Sequence, residues 1–132
     1  MTKKDLKQIF YINKEIKMWQ DKLDEMTEIK STNMSGLSSA HSQGDNTSDM
    51  AIQKAEITSA IAELQAKIQV KQCEIMDFIE HIDDSIIRQI IQYRYIDLMT
   101  WIEVSMKVYG RPDMNEVARK YHEVYLRKNG IF

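Results

Sequence analysis

The chain has 132 residues, 43% hydrophobic and 29% charged, which suits one compact domain or a small domain with an extended helical arm. It contains no apolar run of about eighteen residues, and "MTKKDLKQIF" lacks the apolar stretch and cleavage site of a signal peptide, so neither a membrane span nor a secreted precursor is expected. A net charge of −2 excludes a uniformly basic nucleic-acid coat, and the single cysteine excludes an internal disulfide.

The charge is uneven along the chain. Residues 1–83 carry ten Lys/Arg against fourteen Asp/Glu, whereas residues 84–132 carry eight against six. One proline, four glycines and the lack of alternating β-branched runs predict an all-α fold. In the first segment Leu6, Ile9, Ile12, Ile16, Trp19, Leu23 and Met26 recur at spacings of three or four, the signature of one helical stripe. Thr2 is the expected cap, with Asp5 near the positive end of the helix. A helix over 3–30 would be about 42 Å long.

"STNMSGLSSAHSQGDNTS", residues 31–48, is rich in side chains that compete with backbone hydrogen bonding and predicts a flexible loop. A second rod over about 49–82 would open at Ser48 or Asp49 and carry Ile57, Ile61, Leu64, Ile68, Ile75, Phe78 or Ile79, and Ile82. Lys71 interrupts that stripe, while Val70 and Cys73 widen it, which predicts a buried thiol. Two such rods imply an antiparallel helical hairpin over 1–83, with leftover apolar surface suited to forming a homodimer.

From residue 84 the punctuation is dense. "DDSIIRQIIQYRYI" starts with an acidic or serine cap and is apolar on more than one side, as a central core helix would be. "TWIE" is a capping box of Thr100 and Glu103 that opens a helix running to about Tyr109, where Gly110 and Pro112 end it. "DMNE" predicts a second box with Asp113 as cap and Glu116 as its partner, opening a last helix over about 114–128 that stops at Asn129-Gly130. A short helix, a glycine turn and a longer helix are the layout of a helix-turn-helix. On the last helix Val117, Ala118, Tyr121, Val124 and Tyr125 are assigned to the core. Asn115, Glu116, Arg119, Lys120, Glu123 and Arg127 are left for solvent. Double-stranded DNA is the expected partner: Asn115 and Arg119 would read base edges, Lys120, Arg127 and Lys128 would lie along phosphate, and Arg111 in the turn is a further expected DNA contact.

"DDSIIRQIIQYRYIDLMTWIEVSMKVYG" followed by "EVARKYHEVYL" resembles the C-terminal half of the ArpU-like family of phage late-gene transcriptional regulators from Gram-positive bacteria, whose helix-turn-helix is similar to region four of sigma factors. "DLKQIFYINKEIKMW" and "GDNTSDM" are similar to the family's N-terminal rod and linker. The resemblance implies a regulator in the cytoplasm of a bacterial host, with the arm serving self-association or contact with RNA polymerase. The chain departs from the family pattern at three places. Asp97-Leu98-Met99 stands where a glycine is usual, Ser105 where alanine is favoured, and Val124 where a basic residue is expected.

No catalytic, cofactor-binding or metal-binding set is expected. His41, His81 and His122 are scattered, no Cys/His spacing suits zinc, no glycine-rich phosphate loop occurs, and Asp83-Asp84 fits a helix start. Two other functions suit the same pattern: a phage structural or DNA-packaging protein of the small-terminase kind, and a coiled-coil interaction module that never meets DNA.

Overall fold

Thr2 opens the first helix with a capping box: its hydroxyl accepts from the Asp5 amide at 3.1 Å, and the Asp5 carboxylate accepts from the Thr2 amide at 2.9 Å. In the computed structural model, residues 1–35 and 43–132 are described, with side chains over 1–27 and 48–132. The fold is all-α, and no strand occurs among the described residues. Helix α1 spans Lys3–Leu6 and α2 spans Gln8–Ser35. Between them the Lys7 amide bonds to the Lys3 carbonyl and the Tyr11 amide to the Lys7 carbonyl, so the hydrogen-bond ladder runs on through the hitch.

Helix α3, Gln43–Glu80, begins before the expected cap, so Ser48 and Asp49 lie inside it. The loop predicted over 31–48 is therefore helical over 31–35 and 43–48, and its remainder lies outside the described residues. Extending a formed helix adds one bond per residue fixed, and Ser, Thr and Asn each oppose this by only about 0.5 kcal/mol.

The chain divides into two compact units. The first takes in Ile12–Lys67, and its buried residues are Ile12 and Ile16 of α2 and Ile57, Ile61 and Leu64 of α3. Trp19, Leu23 and Met26, on the same stripe, are half-buried.

The second unit joins Met1–Tyr11 to Ile68–Phe132. It extends beyond residues 84–132 because three short helices have too little apolar surface to close a core alone. Leu6 and Ile9 from the N-terminal segment and Ile75 from α3 pack with Ile82, Ile87, Ile91, Tyr95, Leu126 and Ile131. The Lys3 amide donates to the Phe132 carbonyl at 3.1 Å, tying the two chain ends together. Val70 and Cys73 correct the expectation of a widened stripe: both are exposed, and Lys71 beside them pairs with Glu74 at 2.9 Å. They lie off the Ile68–Ile75–Ile82 line, whose spacing of seven keeps one side of the helix inward.

Asp84 caps α4, Ser85–Ile91, by accepting from the Ile86 and Ile87 amides. A π-helical turn over Gln92–Ile96 follows, closed by the Asp97 amide on the Gln92 carbonyl at 3.1 Å. The chain then turns through Leu98 at φ 57°, a left-handed conformation that costs a non-glycine residue about 1–2 kcal/mol. Leu98 packs against the core, and the Met99 amide donates to the Tyr93 carbonyl, which together hold the turn.

Helix α5, Trp101–Tyr109, has the expected Thr100/Glu103 box and ends at Gly110 with φ 72°. A 3-10 turn, Pro112–Met114, leads into α6, Asn115–Lys128. Here the expected second box is corrected. Met114 precedes α6 without a side-chain cap, while Asp113 sits in the 3-10 turn and pairs with Arg111 at 2.6 Å. The turn is held instead by buried Ser105, whose hydroxyl donates to the Arg111 carbonyl and accepts from the Met114 amide at 3.0 Å.

Candidate nucleic-acid interface and the adjoining cleft

Helix α6 turns Ala118, His122 and Leu126 into the core at spacings of four. Ala118 meets Ile90 of α4 and Val104 of α5, so this cluster sets the angle at which α6 stands. Three residues assigned to the core from sequence lie outside: Val117 is 48% exposed, Tyr121 41% and Val124 49%, while Tyr125 is half-buried. Both sets recur with helical spacing. The set containing a histidine was the harder to recognise because Val and Tyr rank above His in hydrophobicity.

Of the anticipated DNA contacts, Lys120, Arg127 and Lys128 are exposed and form no ion pair with any described residue. Asn115 is half-buried at the helix start. Arg111 is exposed but engaged with Asp113. Arg119 is placed differently from the expectation. Its Nε and Nη2 donate to Glu116 and its Nη1 donates to Glu123, so both carboxylates hold the guanidinium on the flank of α6. That pairing lowers the Glu116 carboxyl below its usual range, through the hydrogen bond from Arg119 first and its charge second.

Arg119 and Glu123 border a cleft of about 120 Å³ that the sequence reading missed, lined also by Lys3, Lys7, Arg94, Tyr95, Trp101 and His122. The π-helical turn turns Tyr95 inward while Arg94 lies over the Trp101 ring, 4.9 Å from its centroid, with Nη1 donating to the Met99 carbonyl at 2.8 Å. His122 packs at a tilt against both aromatics, 5.1 Å from Trp101 and 5.6 Å from Tyr95 by ring centroids.

The histidine's protonation follows from its partners. Nδ1 faces the Arg119 carbonyl at 3.1 Å, which can only accept, so Nδ1 carries the proton. Nε2 is then the acceptor for the Tyr95 hydroxyl at 2.6 Å. Burial drives the His122 pKa down, with Lys3 and Arg94 adding to that effect, and burial pushes the Tyr95 hydroxyl up to about 12. Both groups are thus neutral at physiological pH, as the hydrogen bond requires.

A pH dependence follows. His122 is neutral in the folded chain but gains a proton near pH 6.5 when unfolded, so the unfolded state binds more protons below that pH. Stability should fall as pH drops below about 6.5, with a slope of at most about 1.4 kcal/mol per pH unit from this residue. Urea denaturation of His122→Gln should give a smaller loss between pH 7 and 5.5 than the parent chain gives. Equal losses in the two proteins would assign the effect elsewhere.

Among the described residues no group of three His, Cys, Asp or Glu side chains is placed to hold a metal ion, and no helix is long and apolar enough to cross a membrane. No protein-family model matches the chain, and neither a curated protein nor a solved structure does.

Proposed function

We propose that the protein is a DNA-binding transcriptional regulator of the phage or prophage kind that its sequence resembles, with α5, the turn at Gly110 and α6 acting as a helix-turn-helix. The observation that carries this reading is the outer side of α6. Lys120, Arg127 and Lys128 form no ion pair with a described carboxylate, on a helix whose inner side is anchored by Ala118, His122 and Leu126. A helix entering the major groove needs an anchored inner side and unpaired outward donors. Val117, outward near the start of α6, suits contact with a thymine methyl, and Asn115 suits adenine. Arg119 would reach guanine only by leaving Glu116 and Glu123, so Lys120 takes the more direct position for phosphate or base contact. Contact between the long-helix arm and RNA polymerase, and pairing into a homodimer, belong to the same proposal.

Selection from a random pool of duplex DNA should enrich a motif. With an enriched site, Lys120→Ala and Lys128→Ala should each weaken binding and flatten the dependence of log affinity on log salt by about one unit. Fluorescence anisotropy at several salt concentrations measures both effects. The exposed line of Val117, Tyr121 and Val124 favours a second reading, in which α6 docks on another protein. A pool without enrichment, together with salt slopes unchanged in both variants, would transfer the assignment to that reading.

A further inference from the structure

We propose that the cleft bordered by Lys3, Lys7, Arg94 and Trp101 is a binding site for a phosphate group. Three separate segments bring cations to one small volume: Lys3 and Lys7 from the N-terminal segment, Arg94 from the π-helical turn, and Arg119 from α6. Glu123 is the one carboxylate in the lining, and it is occupied by Arg119 at 3.2 Å. The lining therefore carries four positive charges against one negative in a chain whose net charge is −2.

The donors divide by availability. Arg119 spends Nε and both terminal nitrogens on Glu116 and Glu123, so it contributes field and no free fork. Lys3 and Lys7 form no ion pair with any described residue. Arg94 commits Nη1 to the Met99 carbonyl and is held over Trp101, which restrains the guanidinium that carries its other donors. Like charges gathered this closely repel unless an anion sits among them, and a tetrahedral phosphate oxyanion answers three donors better than a planar carboxylate does. The cleft, at about 120 Å³, has room for a phosphate group. The phosphate can come from a free monoester or from a DNA backbone, and the site does not depend on the DNA-binding reading.

The test uses the full chain with Trp19→Phe, so that emission reports Trp101 alone. Sodium phosphate is titrated against sodium chloride at equal ionic strength. A saturable change with phosphate and none with chloride is expected. Lys3→Gln combined with Lys7→Gln should weaken it by about tenfold or more, as loss of charge-assisted hydrogen bonds does, while Lys4→Gln outside the cleft leaves it unchanged. Glu123→Gln should strengthen binding, a gain that a poorly folded variant cannot imitate. Addition of duplex DNA then distinguishes the sources: competition with phosphate assigns the site to the DNA backbone, and unaltered phosphate binding assigns it to a free monoester. A phosphate response matching chloride, or weakening by Lys4→Gln as large as that from the cleft pair, would overturn the site.

Discussion

Shortening Ile90 to alanine should lower the free energy of unfolding by about 2–5 kcal/mol, the cost of lost transfer energy together with the cavity left behind. Ile90 is fully buried and packs with Val104 and Ala118, so it is the side chain through which α4 supports both α5 and α6. Neighbours on two other helices cannot readily collapse into the space, because closing it would require both to shift together. Four residues earlier on the same helix, Ile86 is 37% exposed and provides the control. Ile86→Ala should cost well under half as much, since much of that side chain already meets water. Urea denaturation checks both: the Ile90 variant should show a lower midpoint with an unchanged slope. Equal, small losses for the two variants would mean that this cluster does not hold the three helices in place.

The second large effect is expected at Ser105, where alanine should cost about 1–3 kcal/mol. Ser105 is fully buried, and the substitution removes one oxygen without leaving a sizeable void, so packing contributes little to the loss. What remains is a carbonyl at Arg111 and an amide at Met114, both deprived of the hydroxyl that satisfied them. This hydroxyl joins the middle of α5 to the turn before α6, and the start of α6 has no side-chain cap of its own. The loss should therefore be local as well as global. Hydrogen exchange at the Met114 amide should accelerate more than exchange at the Val104 amide, which bonds to the Thr100 carbonyl at 2.9 Å. An unchanged midpoint with unchanged Met114 exchange would show that water replaces the hydroxyl at no cost.

The cleft links these structural effects to the proposed functions. Its floor is the Tyr95–His122 hydrogen bond, and its walls come from the chain's N-terminal segment, the π-helical turn and α6. Moving α6 by loosening Ile90 or Ser105 would therefore disturb both the outward cations and the cleft. Lys120→Ala, by contrast, should alter DNA affinity while leaving stability nearly unchanged, since an exposed side chain without an ion pair contributes little to folding.

Local chemistry was enough to place several of the helix boundaries. Thr2 with Asp5, Asp84, Thr100 with Glu103, and Gly110 at a helix end all act as their residue types dictate, because a side chain that bonds its own neighbouring backbone needs no distant partner. The all-α character and the inward line of Leu6, Ile9, Ile12 and Ile16 follow from periodicity for the same reason. Asp113 fits the same local rule and still fails, since a hydroxyl from α5 reaches the turn first and leaves Asp113 to Arg111. Which side of α6 is buried depended on the shape of the space beside Ile90 and Val104, where Ala118 fits closely and His122 finds Tyr95. Spacing alone could not choose between that set and Val117, Tyr121 and Val124. The cleft was hidden more deeply, for Lys3 and Lys7 meet Arg94 and Trp101 only after the N-terminal segment packs against the final helices. Hydrogen bonds within a turn are encoded by neighbouring letters, whereas burial and charge density are set by residues about ninety positions apart, which only the folded chain brings together.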